Sequence, residues 1–254
     1  MLFSLPALVL DKEERNEIDL LVSLLTPGGK IRALAKGAQK SRRRFLNLLE
    51  TLTYLRVHLR RPQKGKFLIL EGADLLYLPE SPRVDLSKFY LFSYLSEILD
   101  VTAPEAFKKG HFQWLVDFIK TLDKREAFNL NIVKSFFELK WLEICGLYPQ
   151  VSECVRCGKE PKRIYYFSIS AGGMMCLSCK ERSSYPLSLN QIDLLRKIVR
   201  IKELNEVETL MRGLSKTEES FLIRLIEEFF IYHLDWEPRS LRILKEECLY
   251  ARGN

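Results

Sequence analysis

Histidine is scarce in this chain of 254 residues: His58, His111 and His233 are all there is. They read His58-Leu-Arg, His111-Phe-Gln and His233-Leu-Asp, so none supplies the H-x-E that zinc deaminases carry ahead of a C-x-x-C. Three scattered imidazoles also leave little material for a catalytic metal or a nucleophile–base pair. The phosphate-cradling G-x-x-x-x-G-K-[ST] is missing too, because Arg60 replaces the upstream glycine that Gly65-Lys66 would need and Phe67 follows the lysine. No compact Asp/Glu/His cluster suggests a metal-dependent nuclease. No apolar run approaches the roughly 20 residues that span a bilayer. Met1 to Leu10 lacks the basic start of a secretory signal, and Asp11, Glu13 and Glu14 follow it. These absences predict a cytoplasmic protein, with no membrane partner, that binds rather than catalyses.

What the chain does have is positive charge in one place. Its net charge is only +7. Yet Lys30 to Lys66 contains twelve bases (Lys30, Arg32, Lys36, Lys40, Arg42, Arg43, Arg44, Arg56, Arg60, Arg61, Lys64, Lys66) against the single acid Glu50. A charge run is ordinarily a solvated face. A run this one-sided repels itself unless a polyanion neutralises it, and nucleic acid is the favoured partner.

Four of the six cysteines form two knuckles, Cys154-Val-Arg-Cys157 and Cys176-Leu-Ser-Cys179, with eighteen residues between them. That spacing is the spacing of a tetrahedral four-thiolate zinc site, which leaves no position for water or substrate. One structural Zn2+ per chain is expected, held by Cys154, Cys157, Cys176 and Cys179 in a reducing compartment. Gly158 after the first knuckle suits a positive φ, and Gly172-Gly173 permits a tight return. Cys145 and Cys248 fall in helical apolar patterns and read as buried, inert thiols.

The first eighty residues read as β-structure. Short apolar or alternating runs lie at Leu5 to Leu10, Ile18 to Leu25, Ile31 to Lys36, Leu52 to Arg60 and Phe67 to Ala73. Thr26-Pro27-Gly28-Gly29 is a turn in which Gly28 is expected to take the positive φ. Arg61 to Gly65 is a hairpin loop. Five short strands in this length suggest a closed barrel of the OB type. From about Pro82 the spacing becomes helical, and Gly146 is a candidate helix C-cap. Two capping boxes, Ser188 with Gln191 and Ser215 with Glu218, open further helices. The fold class is therefore α+β and multidomain. It comprises a five-stranded OB-fold barrel (1–80) and a helical domain (81–254) carrying the four-cysteine zinc ribbon at about 150–183.

The loop Lys36-Gly-Ala-Gln-Lys40-Ser-Arg42-Arg43-Arg44-Phe45 carries five charges in ten residues. A mobile basic loop on a barrel can track a phosphate backbone, and its binding would tolerate any sequence and weaken with salt. Phe45 is either a stacking platform for bases or a core contact that anchors the loop.

Several segments together resemble the RecO family of bacterial recombination mediators. They are Ala7-Leu-Val-Leu10, Glu17-Ile-Asp-Leu-Leu-Val, Thr26-Pro-Gly-Gly-Lys-Ile-Arg32, Ala35-Lys-Gly-Ala-Gln-Lys-Ser-Arg42, Phe136 to Pro149, Cys154-Val-Arg-Cys-Gly158, Phe167 to Cys179, Tyr232-His-Leu-Asp and Arg239 to Leu244. Gln39 stands where the family usually carries arginine, with Arg42, Arg43 and Arg44 close by. The resemblance implies a DNA-repair mediator that binds single- and double-stranded DNA and anneals complementary strands. It also implies binding of the acidic C-terminal tail of single-stranded DNA-binding protein and, with RecR, help in loading RecA. Such a protein would be cytoplasmic and associated with the nucleoid. Carried onto this sequence, the DNA-binding residues are Lys36, Lys40, Arg42, Arg43 and Arg44, with Arg60 and Arg61 as barrel-edge support. The rival reading is a zinc-ribbon scaffold whose basic face holds acidic proteins.

Overall fold

The computed structural model describes residues 1–41, 44–105, 107–108, 110–160 and 165–250, the last four as backbone. Five strands form a closed barrel in the order β1-β2-β3-β5-β4, with β4 returning to β1. They are β1 (Leu2–Glu14), β2 (Leu20–Thr26), β3 (Gly29–Ala35), β4 (Tyr54–Arg60) and β5 (Leu68–Tyr77). All pairs are antiparallel except β3 with β5, where Ala33 faces Leu68 and Leu34 faces Ile69. This is the OB-fold expected from the spacing of the runs. β1 serves two neighbours: its first half pairs with β4 and its second with β2, and its register shifts between Val9 and Asp11. That irregularity bends the strand so the sheet can close.

Alternation decides what lies inside. Ala7, Val9, Val22, Leu24, Ala33, Ala35, Leu55, Val57, Leu59 and Leu70 fill the interior. The intervening residues of β2, Leu21, Ser23 and Leu25, point outward, yet they too are buried. The cover is α1 (Leu86–Thr102), which packs on β1 and β2. Ser96 Oγ donates to Leu10 O at 2.6 Å, and Ser23 Oγ donates to Asp100. A strand buried on both faces reads as a nearly unbroken apolar run, as Leu-Leu-Val-Ser-Leu-Leu does.

The turn between β2 and β3 differs from expectation. Gly29, not Gly28, takes the positive φ, at 105°. The Thr26 hydroxyl accepts from Gly28 N–H at 3.1 Å and donates to Gly29 O at 2.8 Å, closing the turn between Thr26 and Gly29, so that the positive φ falls one residue later.

Two compact units emerge, Met1–Ala127 with Pro238–Asn254 and Phe128–Glu237. The first therefore holds the barrel, a short 3-10 helix (Ser81–Arg83), α1, α2 (His111–Lys124) and the final helix α7 (Arg239–Tyr250). The change from β to helix expected near residue 80 falls inside it. Glu97 of α1 accepts from the backbone N–H of Arg239 and of Ser240, both at 2.9 Å, and so caps the start of α7.

The second unit contains α3 (Leu130–Cys145), α4 (Leu189–Ile198), α5 (Leu204–Arg212), α6 (Lys216–Leu234) and a small sheet in the order β7-β6-β8. Those strands are β6 (Tyr165–Ser168), β7 (Gly173–Cys176) and β8 (Tyr185–Leu187). Both expected capping boxes form, at Ser188 with Gln191 and Ser215 with Glu218. Gly146 ends α3 with φ 76°. Between α3 and α6, Lys134 is buried with its ammonium 2.9 Å from Glu138 and 2.8 Å from Glu227.

Candidate nucleic-acid interface and metal centre

Three loops meet at one end of the barrel. The β1–β2 loop (15–19) is bonded to the start of the β3–β4 connection. Gly37 N–H donates to Asp19 Oδ1 at 2.7 Å, Gln39 N–H to Ile18 O at 3.1 Å and Gln39 Nε2 to Asn16 O at 3.1 Å. On its other side, the Arg15 guanidinium lies 5.9 Å from the centre of the Phe67 ring, in the β4–β5 loop. The rim thus carries Arg15, Lys36, Lys40, Arg44, Arg61, Lys64 and Lys66, all exposed. Among the described residues, Lys36, Lys40, Arg61, Lys64 and Lys66 have no acidic partner within salt-bridge distance. Glu17 and Asp19 share the rim, but the Gly37 backbone N–H and the Asn16 amide hold the Asp19 carboxyl below its usual range and occupy it.

Several of the other cations are already matched. Lys30 lies 3.5 Å from Asp100, Arg32 pairs with Glu13, and Arg60 Nε donates to Glu71 at 2.6 Å. Neutralisation along the outer ridge of β3 and the edge of β4 therefore concentrates unopposed charge on the loops. Arg44 is exposed but also structural: its Nη2 donates to Lys36 O at 3.0 Å, and its guanidinium lies 5.3 Å above the Phe45 ring. Arg42 and Arg43 lie outside the described residues.

Phe45 resolves in favour of the anchor. It is buried in the barrel core together with Ala38 and Leu49. The connection expected to be a mobile loop is therefore pinned to the barrel at three apolar points, which leaves Lys36, Lys40 and Arg44 on a fixed frame.

The metal centre belongs to the second unit. The sulfur atoms of Cys154, Cys157, Cys176 and Cys179 all lie within 4.8 Å of one another, and Cys157 Sγ is 3.8 Å from Cys176 Sγ. A regular tetrahedron with metal–sulfur bonds of about 2.3 Å has edges of about 3.8 Å, so the donors fit a four-coordinate metal with thiolate ligands. The first knuckle is shaped by Gly158, whose φ is 68° and whose N–H returns to Cys154 O at 2.8 Å. In the second, Cys179 N–H donates to Cys176 O at 3.1 Å. Burial works against ionisation of Cys154, yet the backbone N–H groups of Cys176, Cys157 and Arg156 pull its thiol down. The hydrogen bond to Cys176, burial and the sulfurs of Cys157 and Cys154 hold the Cys179 thiol up. Metal binding at a four-cysteine site releases the remaining thiol protons.

Hydrogen bonds and ring contacts fasten the ribbon to α4 and α6. Arg196 Nε donates to Val151 O at 3.1 Å, His233 Nε2 meets Ile169 O at 2.8 Å, and the Phe167 and Phe229 rings lie 5.8 Å apart. A Cβ on Gly173 would sit 2.2 Å from Gln150 O and 2.9 Å from Gln150 N, because the strand entering the first knuckle passes directly over it. Gly173→Ala is expected to lower the stability of this unit by about 2 kcal/mol in a denaturant titration. Of the ribbon's own bases, Arg156 is paired with Glu181, and Lys162 and Arg163 lie outside the described residues. Cys145 is only half-buried, a departure from the expected burial. Burial still pushes its thiol up to about 11, so it stays protonated and unreactive at neutral pH. The side chain of Cys248 lies outside those described.

A closed OB barrel with a basic loop rim, followed by helices bearing a four-cysteine ribbon, defines an α+β protein whose four clustered thiols are placed to bind a metal ion. The chain belongs to the recombination protein O family, RecO. The family profile described as Recombination protein O N terminal matches residues 1–77, and that described as Recombination protein O C terminal matches residues 83–242. The chain is 35% identical to the DNA repair protein RecO of Myxococcus xanthus over 179 residues, 70% of this chain and 72% of that protein. It is 29% identical to the DNA repair protein RecO of Syntrophus aciditrophicus, covering 91% and 90% of the two chains. With that of Desulfosudis oleivorans the identity is 28% over 96% and 97%. No described helix is long and apolar enough to cross a membrane.

Proposed function

We propose that the protein is a recombination mediator that binds single- and double-stranded DNA on the loop rim of its barrel and anneals complementary strands there. The observation that carries this reading is the gathering of five described cations with no acid within salt-bridge distance on the β3–β4 and β4–β5 connections, beside the β1–β2 loop, in a fold that commonly binds oligonucleotides through its β1–β2 and β4–β5 loops. The contacting residues are Lys36, Lys40, Arg44, Arg61, Lys64 and Lys66, together with Arg42 and Arg43. Arg60, already paired with Glu71, supports the edge. Annealing of this kind forms and breaks no covalent bond. Basic surface screens the repulsion between two strands and raises their local concentration, after which base pairing proceeds unaided.

The metal is Zn2+, one per chain, and its role is structural. When bound it supplies a rigid cross-link among four thiolates, and the four cysteines hold it while the knuckle N–H groups orient them. Partners follow the family: RecR, the acidic tail of single-stranded DNA-binding protein and, through them, RecA. The protein works in the cytoplasm, at the nucleoid, without catalysing a reaction.

Complementary oligonucleotides are expected to anneal faster with the protein than without it at low salt. Lys64→Ala combined with Lys66→Ala should flatten the salt dependence of single-strand affinity by about 0.7 units of slope per lost phosphate contact. Annealing at the protein-free rate would refute the reading. An unchanged slope would remove these two lysines from the site.

A further inference from the structure

Phe67 has a different environment from the other two phenylalanines of the barrel. Phe3 packs against the interior and Phe45 is buried in it, whereas Phe67 is half-buried and does not join that core. Its ring is met instead by the guanidinium of Arg15. It stands beside Lys66 and between two of the rim loops, at the entry to β5, where the chain comes level with Ala33 of β3. The ring thus keeps part of its surface open at a charged rim, where a cation meets it. It has the properties of a stacking platform: a π-face for a base, flanked by cations that reach the adjoining phosphates.

From this juxtaposition, and resting on the rim as the DNA site, we infer that Phe67, braced by Arg15, stacks an unpaired base and gives the rim its preference for single-stranded over duplex DNA. In a duplex both faces of every base are covered by neighbours, so a ring has nothing to stack on without unstacking the helix. Phosphates are equally available in both forms. The cations therefore bind either form, and the ring discriminates between them.

The test compares full-length protein with Phe67→Leu and Phe67→Trp on an oligothymidylate and on a blunt duplex of equal length, each over a salt series. Melting curves of both variants against the parent establish first that each folds. Phe67→Leu is expected to lose about tenfold or more in single-strand affinity, the range of one stacked base. Duplex affinity should stay within about twofold and the salt slopes unchanged. Phe67→Trp should retain or exceed the parental single-strand affinity. Equal losses on both DNA forms, or no loss on the single strand, would overturn the stacking role while leaving the rim as the DNA site. A parent protein that binds neither form would overturn both.

Discussion

Cys157→Ser is expected to strip the metal from the ribbon and to unfold that segment while the barrel keeps its structure. Cys157 is the exposed member of the four, so the substitution removes a ligand without opening a cavity. Structural zinc sites contribute on the order of 10 kcal/mol of apparent binding free energy near neutral pH, and that free energy is also folding free energy for the segment. The ribbon's apolar side is independently fastened: Phe167, Met174 and Met175 are buried, and Arg196 and His233 hold its backbone. Several kcal/mol of the metal's contribution should therefore be lost from the second unit without dissolving it entirely. Metal analysis should fall from about one ion per chain to near none, and denaturant unfolding should begin earlier. Binding of oligonucleotides should persist, since every rim cation is on the barrel. A variant that stays folded yet no longer binds DNA would reverse the assignment and put the ribbon in the interface.

The second large effect is expected at Lys134. Its ammonium is 2% exposed and faces Glu138, itself fully buried, and Glu227. Burial opposes its charge, but the two carboxylates outweigh that and raise its pKa above the ordinary lysine value. Such a lysine contributes stability that is complete below about pH 10.4 and is lost only as the pH climbs through the folded value, so alkaline unfolding reports on it. Lys134→Ala would leave buried carboxylate without its cation and should cost about 3–5 kcal/mol. Replacing the pair together, Lys134→Met with Glu138→Leu, should recover most of that loss, because Glu227 is nearer to solvent. A single substitution costing under about 1 kcal/mol would show that the triad relaxes when broken.

Local signals were easy to read in this chain. Ser188, Ser215 and Gly146 took the cap positions their neighbours implied, and the two C-x-x-C pairs met at tetrahedral distance. Each depends on residues a few positions apart. The long-range terms were hidden. Nothing near Lys30, Arg32 or Arg60 in sequence shows that Asp100, Glu13 and Glu71 will neutralise them, so the basic run looked more uniform than the surface it makes. Phe45 and Phe67 are equally aromatic and equally close to lysines or arginines, and only closure of the barrel separates anchor from rim. Gly28 and Gly29 were interchangeable until the Thr26 hydroxyl set the turn. The β2 run could be read as a strand, but not as one covered by a helix sixty residues later.

The capping of α7 by Glu97 has a consequence in time. The carboxylate and its N–H partners are 142 and 143 residues apart in the chain. At synthesis rates of 5–20 residues per second, α1 leaves the ribosome roughly 7–30 s before the helix that completes its packing. During that interval the barrel and α1 can assemble, and the whole of the second unit is made before the first is finished. α7 thus completes a unit whose barrel is made before the second unit begins, so a chain truncated before Pro238 would lack the helix that packs on α1.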